Sequence, residues 1–369
     1  MEKTDIIIVG AGVVGLSIAT ALSSKDRNII VVEKEKSFGQ GSSSRNSEIV
    51  HSGIYYPTNS LKAKLCVEGK NLLYEFCKKH NIPHKKIGKL IVATTDEEIQ
   101  ELDMLLTRGH ANGVDDLVFL NKDEIKDIEP NIAGLGAIES PSTGIVDSHQ
   151  LMKTLESLAK DKGAVFAYSC EVTGIEKKSK GYEVTVRDAD GETLKILSQR
   201  VINSAGLYSD KIAQMVGIDI EKCAYRLYYN KGEYFRVSNT KANLTNRLIY
   251  PTPRKYSLGI HTVMDLHGEM KLGPNAFYVD EIDYNVDKAH MSEFYKYVKD
   301  FLPFIAGDDL TPDMAGVRAK VQAEGEEAKD FVISEESKKG FSGLINLIGI
   351  ESPGLTASLA IAKYVENMV

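Results

Sequence analysis

Gly10, Gly12 and Gly15 form a G-x-G-x-x-G string with Ala11, Val13 and Val14 between them, directly after the apolar run Ile6-Ile7-Ile8-Val9. Gly10 permits a tight turn, Gly12 lets the backbone approach a pyrophosphate, and Gly15 lets helix and strand pack closely. The helix that follows offers the free N–H groups of its first turn to phosphate oxygens. Glu33 ends the next apolar run, with Lys34 beside it, where a carboxylate accepts hydrogen bonds from a ribose diol. Ser43-Ser44-Arg45-Asn46-Ser47 is a polar loop able to line a cofactor with hydroxyls and backbone amides. Pro353-Gly354-Leu355-Thr356 opens the last helix, whose first amides stabilise negative charge such as that of a reduced flavin. These residues predict a dinucleotide site. No second fingerprint occurs, which argues against a reductase holding two dinucleotides; by its glycines the single site fits NAD or FAD.

These groups need a frame. The first 35 residues read as strand, turn, helix and strand, a right-handed βαβ unit whose continuous apolar strands fit a parallel sheet covered on both faces. Further helices are expected over about 60–80, 96–113 and 150–162, and strands over 89–94, around Val165, Glu183 and Ile196, and at Val201-Ile202 before Ser204-Ala205-Gly206. Between residues 225 and 278 short strand patterns alternate with Gly and Pro, as in an antiparallel sheet. A strand over 344–350 and a closing helix return to the nucleotide-like pattern. The fold class expected is α/β, with a dinucleotide domain assembled from discontinuous segments and a second domain inserted.

With 369 residues, two domains are expected and a core forms without disulfides or metals. A net charge of −7 argues against nucleic acid as the main ligand. No apolar run reaches the ~18 residues of a spanning helix. Cys66, Cys77, Cys170 and Cys223 are scattered without a C-x-x-C pair, which gives no metal site and reads as four reduced thiols in a cytoplasmic chain.

Longer motifs narrow the reading. His51-Ser52-Gly53-Ile54-Tyr55-Tyr56, Ser60-Leu61-Lys62-Ala63-Lys64-Leu65-Cys66, Gly88-Lys89-Leu90-Ile91, Thr143-Gly144-Ile145-Val146-Asp147, Ala205-Gly206-Leu207-Tyr208, Leu272-Gly273-Pro274-Asn275-Ala276 and Ala315-Gly316-Val317-Arg318 occur in order along nearly the whole chain. In these the sequence resembles the L-2-hydroxyglutarate dehydrogenases and oxidases, in the D-amino-acid-oxidase branch of the glutathione-reductase-like flavoproteins. It departs from their pattern at Ser43-Ser44-Arg45-Asn46-Ser47 and at Asn230-Lys231-Gly232-Glu233-Tyr234. The resemblance implies a Rossmann-type FAD-binding domain over 1–85, 145–222 and 312–369. A substrate domain of α+β type, with a mainly antiparallel sheet, takes 86–144 and 223–311.

The chemistry implied is oxidation of a small 2-hydroxy acid, best L-2-hydroxyglutarate, with FAD as the oxidant. An amine or amino acid on the same fold is the first alternative, and a flavin-binding partner protein without turnover the second. A base near neutrality favours histidine, so His51 and His261 are the candidates; the other histidines read as surface residues. A carboxylate is best held by a guanidinium, and Arg318 fills that role in the resemblance. Val172, Ala205, Gly206 and Arg318 join the implied cofactor contacts. Tyr56, Tyr250 and Asn275 join the implied substrate contacts. Lys320, Arg247 and Lys64 are candidates for a second carboxylate. Oxygen, a quinone and an electron-transfer protein are all compatible acceptors, and peripheral membrane contact stays open.

Overall fold

The computed structural model describes residues 2–253 and 259–369. Residues 254–258, inside the 225–278 stretch read as an antiparallel sheet, lie outside the described residues.

The nucleotide-like pieces assemble into an eight-stranded sheet. Its parallel centre runs Val165–Ala167, Ile29–Val32, Glu2–Val9, Thr193–Asn203 and Phe341–Ile348. Ile6, Ile7, Ile8, Val31, Ile202 and Ile345 are almost wholly buried, because helices cover one face and an antiparallel layer the other. The helices Val13–Leu22, Leu61–Lys79, Ser148–Asp161 and Gly354–Glu366 contribute to one apolar cluster on this sheet. Ser60 caps the second of these by accepting from the Ala63 N–H, and Asp147 caps the third by accepting from the Gln150 N–H.

Thr193–Asn203 serves two layers. Its first half pairs antiparallel with Gly181–Arg187, which pairs in turn with Glu171–Lys178. Its second half lies parallel to Glu2–Val9 and Phe341–Ile348. The strand Glu171–Lys178 was not expected.

The β-rich middle resolves into two sheets. One is built on the long strand Tyr228–Val237, paired antiparallel with Met270–Gly273, Phe277–Val279 and Leu310–Lys320. Thus residues 312–320 extend this sheet rather than beginning the dinucleotide segment at 312. The other sheet orders Leu248–Pro251, Lys89–Ala93, Gly136–Ser140 and Val118–Asn121. Short helices at Lys122–Ile128, Ser209–Met215 and Met291–Val298 were not legible as periodic segments. No described helix is long and apolar enough to cross a membrane.

Candidate active site

The carboxyl ends of Glu2–Val9, Ile29–Val32 and Thr193–Asn203 converge on a cavity of about 1210 Å³, the place where open α/β sheets bind ligands. One end is lined by Gly10, Gly12, Val13, Val14, Glu33, Lys34, Ser204, Ala205 and Gly206. The other reaches His51, Tyr55, Tyr56, Tyr234, Tyr250, His261 and Arg318.

The fingerprint is built for close approach. Gly10 has φ +99°, a left-handed conformation that favours glycine. A Cβ on Gly15 would lie 2.0 Å from the Gly10 carbonyl oxygen, so no larger residue fits. Gly12 is the N-cap of Val13–Leu22 and brings no capping side chain. The Ser43 hydroxyl accepts from the Val13 N–H at 3.0 Å, which ties the serine loop to the helix start. Glu33 accepts from the Ala11 N–H at 2.7 Å and from the Glu35 N–H at 2.9 Å. It therefore orders the turn as well as lining the cavity.

Arg45 stacks over Tyr284 at 4.1 Å, and its Nε is buried without a hydrogen-bond partner. Asn46 folds its amide back onto the Ser42 and Ser43 carbonyls. Ser47 and Tyr234 share a hydrogen bond of 2.9 Å between hydroxyls. Across the cavity Pro353, Gly354, Leu355 and Thr356 begin the final helix, again without a side-chain cap. Thr356 accepts from the His51 N–H at 3.0 Å and donates to the Ile49 carbonyl, joining the His51 loop to that helix. A glycine cradle, two uncapped helix starts and an orphaned guanidinium nitrogen fit an extended dinucleotide diphosphate and a ring system beyond it.

His51 Nε2 lies 3.3 Å from Ser352 Oγ, while Nδ1 is buried without a partner. Burial first, and then the Lys89 charge, push the imidazole down to about 3, so it is neutral near pH 7. His261 stacks on Tyr250 with ring centroids 3.7 Å apart, and burial pushes it down to about 3 as well. Its Nδ1 is 3.1 Å from the Thr262 carbonyl oxygen, which fixes that nitrogen as a donor. Arg318 reaches the cavity from Leu310–Lys320. Its register opposite Asn230 explains the 2.8 Å bond from Nη1 to Asn230 Oδ1. Among the described residues no acidic side chain pairs with it in a salt bridge.

Several expected contacts lie elsewhere. Ala11 and Gly15 shape the turn from behind the cavity wall. Ser44 is exposed and turns toward the Gly41 carbonyl. Val172 is buried in the apolar cluster with Val32 and Val186. Asn275 is buried and accepts from the Glu233 N–H at 2.8 Å, so it holds a strand rather than a ligand. Of the second-anchor candidates, Lys320 is engaged by Glu351, Arg247 pairs with Glu129 and Glu139, and Lys64 is exposed and off the cavity. His290 is no plain surface histidine: Nδ1 is 2.6 Å from Glu233 Oε2, and that bond raises its pKa.

The residues not anticipated are Tyr55, Lys89, Asn230, Tyr234 and Glu351. Glu351 sits between Lys62 Nζ at 2.9 Å and Lys320 Nζ at 2.8 Å. Burial alone would raise its carboxyl; the two lysines outweigh that and bring it to about 2. Its one sequence signal was its place two residues before Pro353.

Comparison with known proteins accords with this geometry. The family model described as "DAO: FAD dependent oxidoreductase" matches residues 5–368. The mitochondrial L-2-hydroxyglutarate dehydrogenase of Arabidopsis thaliana is 38% identical over 99% of this chain and 83% of its own length. The mitochondrial L-2-hydroxyglutarate dehydrogenase of Homo sapiens is 33% identical over 99% and 88%. Among solved structures, the dithionite-reduced L-α-glycerophosphate oxidase of Mycoplasma pneumoniae with FAD bound superposes with TM-score 0.88 at 27% identity, covering 100% of this chain and 95% of that one.

Proposed function

This chain belongs to the DAO family of FAD-dependent oxidoreductases, and on that premise we propose that it oxidises L-2-hydroxyglutarate to the 2-oxo acid. One observation carries the reading: a guanidinium without an acidic partner among the described residues, Arg318, and a neutral imidazole, His51, line the same cavity as the dinucleotide fingerprint. The curated relatives named for this substrate support it.

FAD when bound supplies the two-electron oxidant. The Gly10–Gly12 turn, Glu33, Arg45 and the starts of both helices would hold it. Arg318, held in place by Asn230, pairs with the carboxylate next to the reacting carbon. His51 takes the hydroxyl proton at Nε2, the nitrogen beside Ser352 Oγ, while Nδ1 is buried without a partner. The depressed pKa keeps the ring neutral at neutral pH, with one of its two nitrogens unprotonated. Tyr234, Tyr250 and His261 close the far wall and exclude water from the reacting carbon.

The test is spectroscopic. Purified holoenzyme is mixed with L-2-hydroxyglutarate in the absence of oxygen. Bleaching of the flavin band is expected. A flavin that stays oxidised overturns the substrate assignment, and bleaching by an amino acid instead moves it to amine oxidation. Re-oxidation by air against re-oxidation by a soluble quinone then assigns the acceptor.

A further inference from the structure

Lys89 begins the strand Lys89–Ala93, beside Leu248–Pro251 in the sheet that floors the far end of the cavity. Its side chain is 0% exposed, and Nζ has no hydrogen-bond acceptor among the described residues. The ammonium lies 4.4 Å from the Tyr55 ring centroid and 4.8 Å from that of Tyr250. Both rings line the cavity, and both hydroxyls are buried without a partner.

A buried ammonium without an acceptor is costly, and two aromatic faces offset only part of that. Among the described residues no carboxylate forms a salt bridge with Lys89, and the ionisable group acting to raise its pKa is Cys66. One cation and two unanswered phenols in a single wall are satisfied together by an anion with oxygen acceptors.

We propose that this wall is a second carboxylate subsite: the Tyr55 and Tyr250 hydroxyls donate to the distal carboxylate of the substrate, and Lys89 supplies the positive charge behind their rings. Arg318 then holds the carboxylate at the reacting carbon, and Lys89 selects dicarboxylates over monocarboxylates. His261 feels both charges. The subsite deepens the reading of a 2-hydroxy dicarboxylate substrate and rests on it.

The subsite carries a pH signature. Lys89 faces Cys66 from Leu61–Lys79, His51 and Tyr55 from the loop before that helix, and Tyr250 and His261 from the neighbouring strands. Burial raises the Cys66 thiol to about 12 and both phenols above their ordinary range, and it holds both histidines near 3. Lys70, near Cys66, donates to the Ser142 hydroxyl and lies beside Asp116. Lys89, pushed down to about 7 by burial, is the group of this set that titrates near neutrality. An anion that needs it charged binds with proton uptake once the pH exceeds that value.

The test uses holoenzyme titrated with glutarate and with pentanoate, matched in carbon number, read by perturbation of the flavin visible band. In the wild type, glutarate is expected to bind at least about tenfold tighter than pentanoate at pH 6. Its Kd is expected to rise by up to about tenfold per pH unit above 7. Lys89→Met is expected to abolish both the preference and the slope while leaving pentanoate within about threefold. Tyr55→Phe with Tyr250→Phe, which removes only two oxygens, is expected to weaken glutarate selectively, and it decides the matter should Lys89→Met fold poorly. Equal binding of the two acids by the wild type overturns the subsite, as does a glutarate preference that survives these substitutions. Because neither acid is oxidised, the result stands apart from whether L-2-hydroxyglutarate reduces the flavin.

Discussion

Replacing Glu351 by Gln removes one negative charge from between two lysines. The side chains of Glu351 and Lys62 are 6% and 9% exposed, and that of Lys320 is 16% exposed, so water cannot take over the lost partner. Burial already pushes Lys320 down despite its carboxylate neighbour, so Glu351 is what keeps that ammonium charged. The carboxyl titrates at about 2 in the fold, against an ordinary 4.5. At about 1.36 kcal/mol per pKa unit this linkage is worth roughly 3 kcal/mol at neutral pH. Breaking a buried pair by removing one member costs a similar amount, about 3–5 kcal/mol. At about 2.1 cal/mol/K of unfolding entropy per residue, a chain of this length loses roughly 4 °C in Tm. The folded value lies below the unfolded one, so the contribution is fully present above pH 4.5 and is lost as pH falls toward 2. Calorimetry of FAD-depleted wild type and Glu351→Gln should therefore show a gap of about 4 °C at pH 7 that closes in acid. Tm values within 1 °C of each other at pH 7, or a gap as large at pH 3 as at pH 7, would refute the argument.

His51→Gln is expected to slow anaerobic flavin reduction by about 10²–10⁴ while FAD stays bound, as measured by stopped-flow absorbance. Arg318→Met should raise KM by about 10–100-fold, the worth of a charge-assisted contact, with a smaller change in kcat. Gly15→Ala sets a methyl against the Gly10 carbonyl and should yield protein that retains little FAD through gel filtration. His51 and His261 are neutral in the fold, with values near 3 against an ordinary 6.5. The unfolded chain therefore binds more protons below 6.5. The stability they confer is present above that pH and lost as pH falls toward 3. His261→Gln should flatten the Tm profile across that window.

The parts legible in the sequence are those whose chemistry is local. Gly10, Gly12 and Gly15 declare a turn within six residues, and Glu33 follows at the end of the adjacent strand. The βαβ start was readable because its strands are apolar without interruption. What escaped depends on register between distant segments. Asn230 meets Arg318 through antiparallel pairing across 88 positions. Lys89 reads as a polar residue entering a strand, and its burial comes from Leu248–Pro251 laying Tyr250 alongside. Asn275 and Val172 sit in the right neighbourhoods, but their side chains face strand and core rather than cavity. The eleven residues of Leu310–Lys320 were missed as a strand because the segment is buried only along part of its length.

Thr356 binds the His51 loop to the final helix, and Phe341–Ile348 lies beside a strand that itself lies beside the first. During synthesis this order has a consequence. A ribosome that has made the glycine fingerprint, the serine loop and His51 has released only the first part of the near wall, and the opposite wall still lies some three hundred codons downstream. The half-made chain can form its first βαβ unit but has no closed pocket. Closure of the pocket around a cofactor therefore waits until the helix Gly354–Glu366 has been made.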